Sequence, residues 1–193
     1  MTIANLSPTT RVWLELDTFS TTSHAANTGQ VGEYSRAASN GWTDETILKF
    51  DVSSLAGGVV TSVDLDVVTG AVGGSPSSVT GYIYNQNKTA PGSWSSPPIF
   101  SDFAQTSWTS AVSSKSAFNT VATHNFPSST EFENLVQSWI DNSSNNWGLI
   151  VSVSFGAVGY YLTITDATLN ITYTAGGSGA VSQAIYQYRQ RRM

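Results

Sequence analysis

The sequence predicts an all-β protein: a β-sandwich with one short α-helix and an extended C-terminal arm. Three observations predict it. Apolar and polar residues alternate at period two in repeated short runs, the pattern of strands with one buried face. Clusters of Gly, Pro, Asn and Ser separate these runs at the spacing typical of sandwiches. Charged residues make up only 11% of the 193 positions, whereas Ser and Thr together fill 52, a balance that disfavours a helical bundle rich in Glu, Lys and Leu. Hydrophobic residues at 40% can bury a core, which excludes wholesale disorder.

Taken in order, Met1 to Arg11 has neither the basic start nor the apolar run of a signal peptide. The expectation is a chain that stays in the cytoplasm where it is made, with an extracellular location as the alternative if a leader has been removed. Strands are expected at Arg11 to Phe19, Ile47 to Val52, Val63 to Val67, Val79 to Tyr84, Leu149 to Phe155, Tyr160 to Thr165 and Thr168 to Tyr173. In Val63-Asp64-Leu65-Asp66-Val67 the carboxylates point away from the apolar residues, so Asp64 and Asp66 belong to a solvent face. Turns are expected at Ala56-Gly57-Gly58, Gly70 to Ser78 and Asn85 to Gly92. No stretch is long and apolar enough to span a membrane.

One segment breaks the period. Phe132, Leu135, Val136, Trp139 and Ile140 recur at helical spacing, so a helix over 130–141 is expected, with Thr130 and Glu133 as its capping box and Asn142 to Gly148 as its stop. This helix plugs one end of the sandwich with Trp139 as its largest anchor, and Trp13 is a second core tryptophan. After Tyr173 the composition changes. The expected organisation is a sandwich domain over 1–174, a Gly/Ser linker over 175–179 and a docking arm over 180–193.

Several motifs share an order with a known family. Asp17-Thr18-Phe19, then Ile47-Leu48-Lys49-Phe50-Asp51-Val52-Ser53-Ser54-Leu55, then Leu135-Val136-Gln137-Ser138-Trp139-Ile140-Asp141-Asn142, Asn145-Asn146-Trp147-Gly148-Leu149-Ile150 and Ala167 to Tyr173 resemble the DNRLRE domains over about residues 15–174. The resemblance implies a jelly-roll β-sandwich of the kind found in carbohydrate-binding modules, some of whose relatives bind acidic polysaccharide. The chain lacks the family's Thr-Trp-Asn stretch, having Trp94 to Pro98 in that region, and Asp44-Glu45-Thr46 stands where an Arg often precedes the Leu-Lys-Phe-Asp strand. No ligand site is therefore carried over.

The chemistry-bearing residues are sparse. The chain has no Cys and two histidines, His24 and His124, both read as loop or surface residues, and it lacks G-x-S-x-G and H-E-x-x-H motifs. No catalytic residue is assigned and the protein is expected not to be an enzyme. Glu131 and Glu133 suit the positive end of the helix. Jelly rolls often carry calcium on loop oxygens; Asp17, Asp44, Glu45 and Asp166 are the loop-edge candidates, although no D-x-D-x-D-G spacing supports them, and no cofactor is assigned. Trp42, Trp94, Trp108 and Trp147 stand in polar contexts, where an indole can stack on a sugar or close an end of the sandwich.

Residues 1–175 hold five bases against thirteen acids, a balance of −8, which disfavours a nucleic-acid backbone as partner. The arm instead gathers Ile185, Tyr186, Tyr188, Arg189, Arg191 and Arg192, apolar area next to forked donors for carboxylates. The expected function is a non-enzymatic structural and interaction protein displayed on a larger assembly, with a bacteriophage decoration, fibre or tail protein as the leading form. Its location would then be a virion assembled in the host cytoplasm, and its partners its own copies or a capsid or tail. The alternative is a carbohydrate-binding module of a secreted or surface polysaccharide-processing protein.

Overall fold

The computed structural model describes residues 1–17, 29–36, 40–73, 79–86, 110–153 and 160–176. They form a β-sandwich of antiparallel strands with a single α-helix. The strands are β1 (Thr2–Leu6), β2 (Pro8–Asp17), β3 (Gly29–Arg36), β4 (Asn40–Phe50), β5 (Val59–Gly73), β6 (Gly81–Asn85), β7 (Ser113–Lys115), β8 (Thr123–Phe126), β9 (Leu149–Val153) and β10 (Tyr160–Thr174), and the helix is α1 (Thr130–Asp141). One layer runs β7-β6-β9-β4-β2 and the other β1-β10-β5-β8. Strand β3 hydrogen-bonds to the first half of β4 and to the first half of β10, so the ladder continues from one layer into the other.

The core lies between the layers. Leu48, Phe50, Ile83, Leu149 and Val151 from the first layer meet Val63, Leu65, Val67, Leu162, Ile164, Leu169 and Ile171 from the second in one buried cluster. Gly81 makes room for it: a Cβ there would stand 2.8 Å from the Phe118 ring, closer than packed atoms approach, so only Gly lets that ring lie against β6. Phe118 in turn packs edge-on to Phe126, with centroids 5.3 Å apart. At the open edge, Arg11 of β2 reaches across to β10. Its Nη1 donates to the carbonyls of Ile164 at 3.1 Å and Thr165 at 2.7 Å, and Nη2 lies 3.8 Å from the exposed Asp166 carboxylate.

The helix spans the expected 130–141, and its apolar stripe buries Phe132, Val136, Trp139 and Ile140, with Trp139 fully enclosed. It packs on β5, where Gln137 accepts from the Val60 amide at 2.8 Å and donates to the Gly58 carbonyl at 3.1 Å. The cap is one residue earlier than expected. Ser129, not Thr130, is the N-cap, its Oγ accepting from the Phe132 amide at 3.0 Å. Glu133 instead accepts from the Ser128 hydroxyl at 2.8 Å. Three consecutive hydroxyl residues, Ser128, Ser129 and Thr130, run into the helix, and the middle one has the extended backbone a cap requires.

Other boundaries also shift. The two strands expected over 160–173 are one strand, β10, whose pairing with β5 is interrupted by irregularities on either side of Ile164. No turn begins at Gly70, because β5 continues to Gly73; the rest of the expected turn, 74–78, lies outside the described residues. Strands β1, β3, β7 and β8 were not expected from the sequence; β1, for example, exists by pairing Thr2 to Leu6 against Tyr173 to Leu169. Among the described residues no helix is long and apolar enough to cross a membrane.

Candidate functional site

Two hollows lie between α1 and the β6-β7 edge, and they differ in how their polar groups are used. The groove beside the helix N-terminus encloses about 310 Å³ and is lined by Tyr82, by residues 111–114 and 127–129, and by Glu131. Three of its serines already serve the fold. Ser113 donates to the Pro127 carbonyl at 2.7 Å, Ser129 to the Val112 carbonyl at 2.6 Å, and Ser128 accepts from the Val63 amide at 2.9 Å besides donating to Glu133.

The second hollow, about 210 Å³, is lined by Asn85, Gln86, Leu135, Ser138, Asn145 and Trp147. Each wall has a local cause. Asn85 ends β6 opposite Leu149, and the Gln86 amide donates to the Gly148 carbonyl at 3.1 Å, which ties this end of β6 to the turn before β9. Leu135 and Ser138 stand one turn apart on α1, so they share a face. The helix stops at Asn142, whose side chain caps a single 3-10 turn, Ser143–Asn145. Gly148 then takes φ 100°, a left-handed backbone suited to Gly, and turns the chain into β9. Between these, Trp147 is half-buried and its indole Nε1 donates to the Ser144 carbonyl at 2.6 Å. The Asn85 Oδ1 is buried and has no hydrogen-bond partner.

The outer face of the second layer carries a closed polar network. Asn125 Nδ2 donates to Asp64 Oδ1 at 3.0 Å and Asp66 Oδ1 at 2.9 Å, and Asn170 Nδ2 donates to Asp64 Oδ1 at 2.8 Å and Asp66 Oδ2 at 2.9 Å. Two amides thus hold two like charges on adjacent positions of one strand face. Elsewhere the Ser53 backbone amide, 2.9 Å from Asp51 Oδ1, and the Ser53 side chain hold the Asp51 carboxyl below its ordinary value. On the outer face of the first layer, Tyr82 and Tyr84 have rings 6.0 Å apart. Burial pushes the Tyr84 phenol up, with smaller contributions from Tyr82 and Glu45.

Several expected positions move. His124 is not a surface residue: it lies on β8 with 4% exposure, its ring edge-on to Phe118 at 4.7 Å and its Nε2 3.0 Å from the Thr120 carbonyl oxygen. Of the loop-edge calcium candidates, three lie inside strands and one, Asp17, stands at a strand end. Asp17 ends β2, Asp44 and Glu45 lie within β4, and Asp166 lies within β10, where its Oδ1 accepts from the Ala167 amide at 2.8 Å. Among the described residues no group of three or more His, Cys, Asp or Glu side chains could hold a metal ion.

Of the four candidate sugar-stacking tryptophans, Trp147 lines a hollow. Trp42 lies on β4 opposite Asp17 and Tyr34, its side chain outside the described residues, as are Trp94, Trp108 and His24 altogether. The arm residues Ile185, Tyr186, Tyr188, Arg189, Arg191 and Arg192 also lie outside the described residues. Sequence reading missed Asn85 and Ser138 as site residues, because one reads as the start of a turn and the other as a polar position of a helix. No family model and no curated protein compared with the chain matches it, so the resemblance to DNRLRE domains rests on the motifs alone.

Proposed function

We propose that the chain is a non-enzymatic structural and interaction protein, a sandwich displayed on a larger assembly and held there by residues 180–193. A bacteriophage decoration, fibre or tail protein is the form this reading takes. The observation that carries it is the exit from the sandwich. Strand β10 is paired on both edges almost to its end, Tyr173 with Thr2 of β1 and Thr174 with Val59 of β5. The chain then leaves through the exposed Ala175 and Gly176, and an aromatic and basic peptide on a Gly-rich tether follows. Such a peptide can dock by strand addition or aromatic anchoring without straining the domain that bears it.

Use of the titratable groups supports the non-enzymatic part. Asp64 and Asp66 are held by asparagine amides, Glu133 by Ser128, Asp141 by Gln137 at 2.8 Å, Asp166 by its neighbour's amide, and His124 is packed in the core. Acid–base catalysis needs groups poised to exchange protons with a ligand, and these serve strands and caps instead. A second reading, carbohydrate binding, is favoured by one observation: Trp147, one of the four candidate tryptophans, lines a hollow.

The test is the full chain carrying Tyr186→Ala and Tyr188→Ala together. Association of copies, or attachment to the particle with which the wild-type chain co-purifies, should be lost while the unfolding temperature stays unchanged. Raising salt should weaken attachment to the extent that the arginines carry it. Full attachment of the double variant would contradict the proposal.

A further inference from the structure

We infer that the outer edge of β1 is the acceptor for the arm of a second copy, which adds to the sheet there as an antiparallel strand. This rests on the proposed function and gives the arm its partner surface. Among the described residues four strands end the layers, namely β1, β2, β7 and β8. Natural proteins guard such edges with charge, Pro, irregular pairing or brevity. Strand β2 begins at Pro8, carries Arg11, Glu15 and Asp17 and has a shift in its pairing, β7 has three residues and ends on Lys115, and β8 has four. Strand β1 is different. Its five residues include no charge and no Pro, and their register with β10 is unbroken from Thr2 opposite Tyr173 to Leu6 opposite Leu169. Thr2, Ile3 and Asn5 are exposed, Ile3 at 68%. A regular, uncharged, exposed edge is a template for another strand.

The two sides of β1 indicate what fits beside it. Ala4 and Leu6 pack on the core cluster but are only partly buried, so a strand with bulk on that side would cover them. In an extended Ala184-Ile185-Tyr186-Gln187-Tyr188 segment, Ala184 and both tyrosines fall on one side and Ile185 and Gln187 on the other. With Tyr186 opposite Ala4, Tyr186 also reaches Leu6 diagonally, and Ile185 lies diagonal to the exposed Ile3. Charge draws the two together, because the arm has three arginines and no acid whereas residues 1–175 have a balance of −8. Residues 177–183 give a tether of seven, up to about 25 Å long when extended. Direction selects another copy as the donor. The chain leaves β10 at Thr174, beside the Thr2 end of β1, so its own arm would meet β1 in parallel. Every described pairing is antiparallel, the more stable ladder, and an antiparallel partner of β1 enters beside Leu6.

The test cross-links full chains, which have no Cys of their own. A chain with Asn5→Cys is mixed with one carrying Ile185→Cys and oxidised, and the mixed dimer should form in higher yield than either chain with itself. Sedimentation then follows self-association without cross-links. Ile3→Lys sets a cation next to Gln187 and Arg189 of the incoming arm, and it should weaken association about tenfold or more, equivalent to ~1.4 kcal/mol, at an unchanged unfolding temperature. Tyr186→Ala with Tyr188→Ala should do the same. Association lost in the tyrosine variant but kept in Ile3→Lys, with no mixed dimer, would overturn β1 as the acceptor and leave the arm as the attachment element. Asn5→Cys chains that link to one another would replace the arm by a β1-to-β1 edge. A chain carrying both cysteines that closes only on itself would put the arm on its own sheet and overturn the second copy. A full chain that neither associates nor cross-links would overturn this acceptor whether or not it attaches to a particle. Association indifferent to all these substitutions would overturn the acceptor and the proposed function together.

Discussion

On the outer face of the β1-β10-β5-β8 layer, side chains alternate cleanly with the core: Val63, Leu65 and Val67 are buried, and Asp64 and Asp66 between them are partly exposed. In the other layer β6 alternates in the same way, but over the end of β4 and over β9 the alternation fails. All five residues of β9 are buried, and Ile47 and Ile150, paired across β4 and β9, are at 0% and 4% exposure although neither belongs to the central cluster. Tyr84 stands opposite Ile150 on that face. One sheet is therefore half-solvated, as antiparallel sheets commonly are, and the other is buried on both sides over β4 and β9. A sandwich core needs one buried face per layer, so the second buried face is additional structure.

The largest expected effect falls on the buried outer face of β4. Ile47→Ala should cost about 2–5 kcal/mol, the range for truncating a buried aliphatic, although Ile47 faces away from the core between the layers. The matching change on the half-solvated face, Thr168→Ala, should stay within about 0.5 kcal/mol. Denaturant unfolding measures both. Equal small effects would mean that the two outer faces are alike.

The difference was half legible in the sequence. Val63-Asp64-Leu65-Asp66-Val67 declares a strand and also which side faces water. Leu149-Ile150-Val151-Ser152-Val153 declares a strand but no face, because a run apolar at four of five consecutive positions carries no clear period. The helix was legible because its apolar residues recur over three turns, whereas its cap slipped by one among Ser128, Ser129 and Thr130. Strands β1, β3 and β8 were not legible. Thr2–Leu6, Gly29–Arg36 and Thr123–Phe126 have little apolar pattern, and they become strands because β10, β4 and β5 offer them a hydrogen-bonding edge. His124 was misread for the same reason: on β8 it alternates with exposed Asn125 and shares the core side with Phe126. The hollow gathers Asn85, Leu135, Ser138 and Trp147 from separate elements, and no local spacing announces that.

A smaller effect sharpens the half-solvated face. Asp64→Ala removes one of two carboxylates shared by Asn125 and Asn170, but both amides keep Asp66. The exposed setting of Asn125 and the part-exposed carboxylates reduce the loss to under about 1 kcal/mol. A larger loss in thermal unfolding would make this network a structural element rather than a surface one.

The smallest effect is a pH dependence on the covered face. The Tyr84 phenol is raised by burial, then by Tyr82 and Glu45. Its folded value lies above the unfolded one near 10, so the associated stability is present below about pH 10 and lost as pH rises through the folded value. Tyr84→Phe should flatten that alkaline decline. An unchanged decline would assign it to other groups.

In the proposed function the sandwich folds by itself and residues 180–193 assemble it. The most direct measurement compares the full chain with one ending after Ala175, following thermal unfolding and particle attachment or self-association in the same preparations. The shortened chain should unfold with the same cooperativity and show no association. Loss of cooperative unfolding, or association that persists without the arm, would contradict it.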